Sequence, residues 1–402
     1  MTKYSPFEYV LISISNAAGL DKLLFEDRIA WCKNQGKALF TYTGEDEHLY
    51  KKGIQELSRL IQGKTDSHYM VALDGCSSGT QLLACLSGCI TSASQCGLVD
   101  PNKRCDVYTE LANVMNEYLP KEKHIGINPD GYSRQDLKEP FMTFFYASRA
   151  VPRDVFGEGT PELKAFYQAM YKMAPGACSL MDDLLGAIDV ERTRYNWTLP
   201  DGFEVKTIVE VPVDMKVELE ELKTATGKAS TFTHRVYREG QDPYYKAVPA
   251  NAVHSVDAFV VREMKRRAGA PRKQLQRILK DMQYFGITPD LYASKKCLSL
   301  TRAYNWRDEP TDIQQKLMAI IKQIVDYPEF DIVTVHDSFA AAPAHMNMVR
   351  FLYKEILAEI AESDLLQDML REIYEDISIT YNDEGDRTVL AHHIRNSEYA
   401  LS

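Results

Sequence analysis

Two aspartates in this 402-residue sequence stand where short β-like runs end: Tyr69-Met70-Val71-Ala72-Leu73 leads into Asp74, and Ile332-Val333-Thr334-Val335 leads into His336-Asp337. Two carboxylates brought to one edge can hold a pair of divalent ions about 3.5–4 Å apart, one activating an attacking hydroxyl and the other stabilising a leaving group. An aspartate after a strand is, on its own, commonly a turn or cap residue, so the surroundings decide. Between the two lie Arg134 and Lys138, four residues apart, with Tyr146 eight further on. On a helix the two cations would share one face, spaced to hold a triphosphate, with Tyr146 two turns along that face. Seen alone, such a basic pair is commonly a solvated surface.

The elements that must position these residues are legible as patterns. The two apolar runs read as neighbouring strands. Helical periodicity covers Asp106 to Tyr118, Glu162 to Met173, Val253 to Arg267, Asp312 to Val325 and Asn347 to Ile377. The class is therefore α/β and helix-rich. Turn chemistry at Gly126 to Gly131, Gly157 to Pro161, Pro200-Asp201-Gly202 and Gly269 to Pro271 offers boundaries. No internal repeat or low-complexity tract is present.

A length of 402 residues with 45% hydrophobic content supports a sizeable core. The net charge of −10 gives no hint of a polyanionic partner. Locally the balance reverses: Arg262, Lys265, Arg266, Arg267, Arg272, Lys273, Arg277 and Lys280 share a stretch whose only acid before position 281 is Glu263, a run that could track phosphates or form a solvated helix face. Eight scattered cysteines without a signal peptide read as reduced thiols in a cytoplasmic protein. Cys85 and Cys89 lack the second close Cys or His pair of a zinc site. No stretch approaches the about 18 apolar residues of a membrane helix.

The surroundings of the aspartates carry a resemblance. Asp74-Gly75-Cys76-Ser77-Ser78-Gly79-Thr80-Gln81 resembles the first polymerase motif of the bacteriophage-type single-subunit DNA-directed RNA polymerases, Arg134, Lys138 and Tyr146 have the spacing of their second, and His336-Asp337-Ser338-Phe339 is similar to their third. Asn251-Ala252-Val253-His254-Ser255-Val256-Asp257 resembles the family's Asn-x-Val-His-Ser-x-Asp helix. Asp106-Val107-Tyr108, Trp197 to Phe203, Tyr9 to Trp31 and the terminal Glu398-Tyr399-Ala400-Leu401-Ser402 extend the likeness to most of the chain. In the family the final residues reach back toward the active site. Departures are local: Cys76-Ser77 reverses the usual order, Leu82 replaces a common His, Ala147 a Gly, and Leu401-Ser402 the usual Phe-Ala. Residues 206 to 248 align poorly, and 262 to 330 form an insertion.

The resemblance implies a right-hand polymerase: 1–90 as the first part of the palm, 91–257 as fingers, and 258–402 as the second part of the palm with the insertion. The family's amino-terminal domain and thumb are missing from this chain. It implies two Mg²⁺ ions on Asp74, Asp337 and the backbone carbonyl of Gly75, with His336 and Ser338 shaping the turn that presents Asp337. Arg134 and Lys138 would neutralise the NTP triphosphate, and Tyr146 and His254 would lie near base and sugar. Related DNA polymerases carry a bulky Glu five residues after the first metal aspartate; here Gly79 leaves room for a ribose hydroxyl. The implied partners are a DNA template, the RNA transcript, NTPs and a smaller protein subunit supplying the missing domains, with a promoter-recruitment factor and no membrane. That arrangement resembles the large subunit of the two-subunit middle RNA polymerase of lytic podoviruses, at work in the host bacterial cytoplasm.

Overall fold

Helices begin where a polar residue precedes an apolar period, because its side chain satisfies N–H groups that the first turn leaves open. This is how the chain is built in the computed structural model, which describes residues 3–64, 69–126, 131–223, 227, 229–242, 247–381 and 385–402. α1 (Pro6–Ala17) opens with a capping box between Ser5 and Glu8, and α2 (Phe25–Gln35) and α3 (Glu47–Ile61) follow, the latter capped by Asp46. β1 (Val71–Asp74) leads into α4 (Ser78–Ser87), which is buried along its whole length, and α5 (Ile90–Ser94). Five more helices come next: α6 (Val107–Asn116), α7 (Lys138–Phe144), α8 (Ala150–Phe156), α9 (Pro161–Met173) and α10 (Pro175–Gly186). Two antiparallel hairpins interrupt the helices, β2 (Arg194–Thr198) with β3 (Glu204–Ile208) and β4 (Glu210–Lys223) with β5 (Ala229–Glu239). α11 (Ala247–Gly269), α12 (Arg272–Tyr284) and α13 (Thr311–Ile324) precede β6 (Val333–Val335) and β7 (Ser338–Ala341). α14 (Met346–Ala361), α15 (Leu365–Tyr374) and α16 (Arg387–Asn396) complete the chain.

The fold is helix-rich α/β, as the periodicity predicts. The two aspartate-bearing runs share a sheet but are not neighbours, contrary to expectation: the order is β1-β7-β6, all antiparallel. The run at 333–335 turns back through His336 and Asp337, and the returning strand inserts between it and β1. From Arg194 to Glu239, between the helical stretches read from the sequence, the chain forms both hairpins. The alternation Val211, Val213, Met215, Val217, Leu219 carries that strand signal. Pro200-Asp201-Gly202 is the β2–β3 turn rather than a boundary, with Gly202 at φ 76° donating to Leu199. The long helix expected from Asn347 to Ile377 is two helices. Between them the Ser363 hydroxyl donates to the Ile360 carbonyl, and the Asp364 N–H leaves the helix ladder for the Lys295 carbonyl at 2.9 Å. Residues 127–130 of the turn expected at Gly126 to Gly131, and 224–226, 228 and 243–246 of the poorly aligned stretch, lie outside the described residues.

All eight cysteines are buried free thiols, in keeping with the reduced state expected. The core joins α4, α11 and α14, and buried charge stitches it. Arg267 donates to both oxygens of Glu359 on α14 (2.6 and 2.7 Å) and to Glu263 one turn back (3.0 Å). Glu263 also accepts from the Ser299 hydroxyl (2.7 Å) and the Leu300 N–H (2.8 Å). Arg272 closes the end of α11 by donating to the carbonyls of Arg267, Ala268 and Ala270. Arg267→Ala leaves two buried carboxylates without their shared cation. It should lower stability by about 3–5 kcal/mol in urea unfolding; a loss under about 1 kcal/mol would mean that the carboxylates have other means of compensation.

Candidate active site

The site is assembled by backbone pairing. Antiparallel register sets Asp74 opposite Ser338, the residue after Asp337, and the Gly75 N–H donates to the Asp337 carbonyl at 2.9 Å. β6 and β7 are joined by two residues only, and His336 takes a left-handed φ of 52° to close that turn. The first and last thirds of the chain thus meet at one sheet edge. A Cβ at position 75 would come within 3.2 Å of the Tyr353 hydroxyl and 3.4 Å of the Asp337 Cβ, so a side chain there would press on the groups that join the two aspartate segments.

Asp74, Gly75, Asp337 and Ser338 line a cleft of about 660 Å³, and Lys138 and Tyr146 line the same cleft. Ser78, at the start of α4, lines the same cleft, where its backbone N–H favours the ionised Asp337 carboxyl and its side chain the ionised Tyr146. Gly79 faces the Tyr146 ring, where an added Cβ would sit 3.4 Å from the ring carbon bearing the hydroxyl. His254 reaches the group through stacking rather than through the cleft wall. Its ring lies 4.3 Å from that of Tyr146 at an interplanar angle of 17°. The Asn251 to Asp257 motif is helical, as expected, within α11.

The second-motif residues are placed differently from the expectation. α7 begins only at Lys138, Arg134 lies in the turn before it, and Tyr146 in the turn after it, so the three do not share a helix face. Arg134 instead grips Asp106 with two hydrogen bonds (2.9 and 2.7 Å) and lies over the Tyr108 ring at 5.2 Å. The guanidinium pairs with the residue that caps α6, and Pro140, which has no N–H to bond back to Asp136, keeps α7 from extending toward Arg134. His336 does not line the cleft either; its part in the site is the turn.

Two cations on the cleft wall were not singled out from the sequence, Lys22 and Arg104. Arg104 has a buried Nε with no hydrogen-bond partner among the described residues. Lys22 lies inside the Tyr9 to Trp31 stretch noted for resemblance, whereas Arg104 had no local signal beyond its place two residues before Asp106. Asp257 is the third addition.

The electrostatics follow from crowding carboxylates at a half-buried edge. Burial pushes the Asp337 carboxyl above its ordinary range, and the charge of Asp74 adds to the push. Asp257 is pushed up to about 6 by burial and by Asp337, with His336 opposing. Burial and the charge of Asp257 raise the Tyr146 hydroxyl, and burial lowers the His254 imidazole, which is therefore neutral at pH 7. Such a set favours a bound cation, and its donors, carboxylate and carbonyl oxygen, are the hard ligands that Mg²⁺ takes. Among the described residues no group of three or more His, Cys, Asp or Glu side chains could hold a metal ion. A two-carboxylate site completed by substrate phosphates is compatible with that count. No helix among the described residues is long and apolar enough to cross a membrane.

Residues 3–154 match the model of the DNA-dependent RNA polymerase family. The matched stretch, less than half of the chain, contains Asp74, Arg134, Lys138 and Tyr146 and ends before His254 and Asp337. No curated protein matches the sequence.

The raised Asp257 carboxyl yields a pH test. Folded protein keeps this proton up to about pH 6, while an unfolded aspartate releases it near the ordinary value of 3.8. As pH rises through that window the unfolded state loses a proton that the folded state retains, so stability falls, and above pH 6 the loss is complete. In divalent-free buffer Asp257→Asn should be about as stable as wild type near pH 4 and more stable by roughly 2–3 kcal/mol at pH 7. Parallel urea curves for the two proteins across pH would contradict the assignment.

Proposed function

We propose that this chain is the catalytic subunit of a template-directed RNA polymerase of the bacteriophage single-subunit type, working by two-metal nucleotidyl transfer. The observation that carries the reading is the register that sets Asp337 beside Asp74, from more than 260 residues away, in one cleft with Lys138 and Tyr146. The family match over residues 3–154 supports it. In this reading residues 1–90 and 258–402 build a palm and 91–257 the fingers. The sheet shared by β1, β6 and β7 agrees with the former.

The reaction would be attack of the RNA 3′ hydroxyl on the α-phosphate of an NTP, forming the new phosphodiester and releasing pyrophosphate. Asp74, Asp337 and the Gly75 carbonyl would hold two Mg²⁺ ions, which when bound lower the cost of hydroxide-like oxygen on the nucleophile and of charge on the leaving group. Lys138 meets the triphosphate from the cleft wall, with Lys22 and Arg104 as further cations. Arg134 reaches phosphate only by exchanging Asp106 for it, so Lys138 carries the larger share in this geometry. The N-terminus of α4, lined by Ser77, Ser78 and Gly79, adds N–H groups toward negative charge. Tyr146, backed by the His254 ring, forms the surface on which base and sugar are tested. A site that bonds a hydroxyl rejects a substrate that lacks it. Gly79, against Tyr146, keeps the ribose side open and weighs against a DNA polymerase.

We further propose a smaller subunit that supplies an amino-terminal domain and thumb, together with a factor that recruits the pair to promoters on phage DNA in the host cytoplasm. Phe7, Leu23, Phe40, Tyr42 and Leu49, exposed on and between the first three helices, are the apolar surface that such a subunit would cover.

Extension of a labelled RNA primer on a DNA template, with Mg²⁺ and NTPs or dNTPs, tests the reading on this chain with and without the protein that co-purifies with it. NTP-dependent extension is expected, and its appearance only with the bound protein would support the subunit. Absence from both preparations would favour a scaffold that has kept the fold without the chemistry. Asp337→Asn should abolish synthesis while leaving template binding nearly intact; equal activity would sink the metal pair. Tyr146→Phe should relax selection against dNTPs, and an unchanged NTP/dNTP ratio would remove its role.

A further inference from the structure

The basic run from Arg262 to Lys280 divides into two populations. Arg262 and Arg266 are paired with Asp201, Arg267 with Glu263 and Glu359, and Arg272 with backbone carbonyls. Lys265, Lys273, Arg277 and Lys280 pair with no carboxylate among the described residues and are all exposed. The last three fall on α12 at spacings of four and three, and Tyr284 continues the same stripe four residues later. They therefore project from one face, over about 16 Å from Lys273 to Tyr284. Asp281 is the acid on this helix beside them, and Arg307 engages it at 3.4 Å. Tyr284 is 86% exposed and Phe285 59%, an unusual display of aromatic surface at the end of a cationic stripe.

A route connects this stripe to the catalytic residues. On α11 the positions His254, Ala258, Lys265 and Gly269 are exposed while the flanking positions are buried or partly so, which makes one solvent face of the helix. Lys265 lies about 16 Å along the axis from His254. There it meets a groove lined by Lys265, Pro271, Thr301 and Tyr304, beyond which α12 begins. Arg262, held by Asp201, lies over the exposed Phe203 ring at 4.6 Å beside that path.

We propose that the exposed face of α11 and the Lys273, Arg277, Lys280 and Tyr284 stripe of α12 form a track for a single strand of nucleic acid leading to or from the catalytic cleft. The cations meet the phosphodiester backbone and the aromatics stack on bases, which a single strand offers and a duplex keeps inside. In a chain of net charge −10, local cations without counter-charges are the feature that matches a polyanion. The track rests on the polymerase reading for its starting point at the cleft, whereas its test needs no synthesis.

The test uses full-length protein and fluorescent oligonucleotides of about 16 residues, as single-stranded DNA, RNA and duplex DNA, titrated by anisotropy over a range of salt. The triple variant Lys273→Ala, Arg277→Ala, Lys280→Ala should bind single strands about tenfold more weakly at low salt, and its log K against log salt should be flatter by about 2. Tyr284→Ala should weaken single-strand binding about fivefold with the salt slope unchanged. A control triple of exposed lysines elsewhere, Lys37→Ala, Lys121→Ala, Lys164→Ala, should match wild type. Stronger loss with DNA would assign the track to template, stronger loss with RNA to transcript, and either supports it. Wild-type binding by the α12 triple, an equal loss in the control, or a loss confined to duplex would overturn the track while leaving the polymerase reading standing. No oligonucleotide binding by wild type would overturn the track, whereas the polymerase reading falls only if primer extension fails in the presence of the co-purifying protein.

Discussion

The two-residue link between β6 and β7 is the constraint on which the site depends. His336 adopts a positive φ that for a residue with a Cβ costs roughly 1–2 kcal/mol, and the ladders on both sides of β7 offset it. The link sends the chain back as the central strand, so that β7 bonds to β6 on one side and to β1 on the other. A slip of one residue would reverse the faces of every side chain on β7 and move Asp337 away from Asp74. Buried Phe339 and Ala341, packed on the core face of the same strand, hold the register against that slip.

Around this edge buried polar groups tie distant segments together. Gln81, inaccessible on α4, donates to the carbonyls of Cys96 (2.9 Å) and Ala400 (3.0 Å) and accepts from the Tyr353 hydroxyl (2.6 Å). Residues 400–402 run antiparallel to the segment from Asp74 to Cys76, with the Ser402 N–H donating to the Asp74 carbonyl at 2.9 Å and a bridge between Gly75 and Leu401. Tyr399 stacks on Phe25 of α2 at 5.0 Å. The Asp74 segment is thereby held by β7 on one side and the last residues on the other. A carboxylate whose backbone is fixed from both sides costs little further ordering when a ligand arrives.

Electrostatics and packing act in opposite directions here, and the outcome is a preorganised site. Burial raises the carboxyls of Asp257 and Asp337, and the charge of Asp337 on the former and of Asp74 on the latter adds to it. Fold energy, drawn from the buried α4, α11 and α14, holds them together nonetheless. The result is a local demand for positive charge in a protein whose other buried charges, such as Arg267 with Glu263 and Glu359, are matched internally.

Much of the site was legible from local spacing. The strands before Asp74 and Asp337, the helix starting at Asp106 and the helix through Asn251 and Asp257 all depend on interactions within a few residues, which periodicity and side-chain type record. The β4 strand carried an alternation within a stretch that the resemblance left unassigned. Other features depend on which distant group wins a shared partner. Arg134 bonds to Asp106, 28 residues earlier, and half of the basic run is consumed by Asp201, Glu359 and backbone carbonyls. His254 finds the ring of Tyr146 across a gap that no local pattern spans. The sequence by itself determined which residues could do chemistry and which short elements would carry them, because those follow from neighbouring side chains. Only the tertiary structure decided the order β1-β7-β6, the pairing of Arg134 and which cations on α12 stay without a carboxylate among the described residues, because each is settled by competition among groups that meet only once the chain has folded.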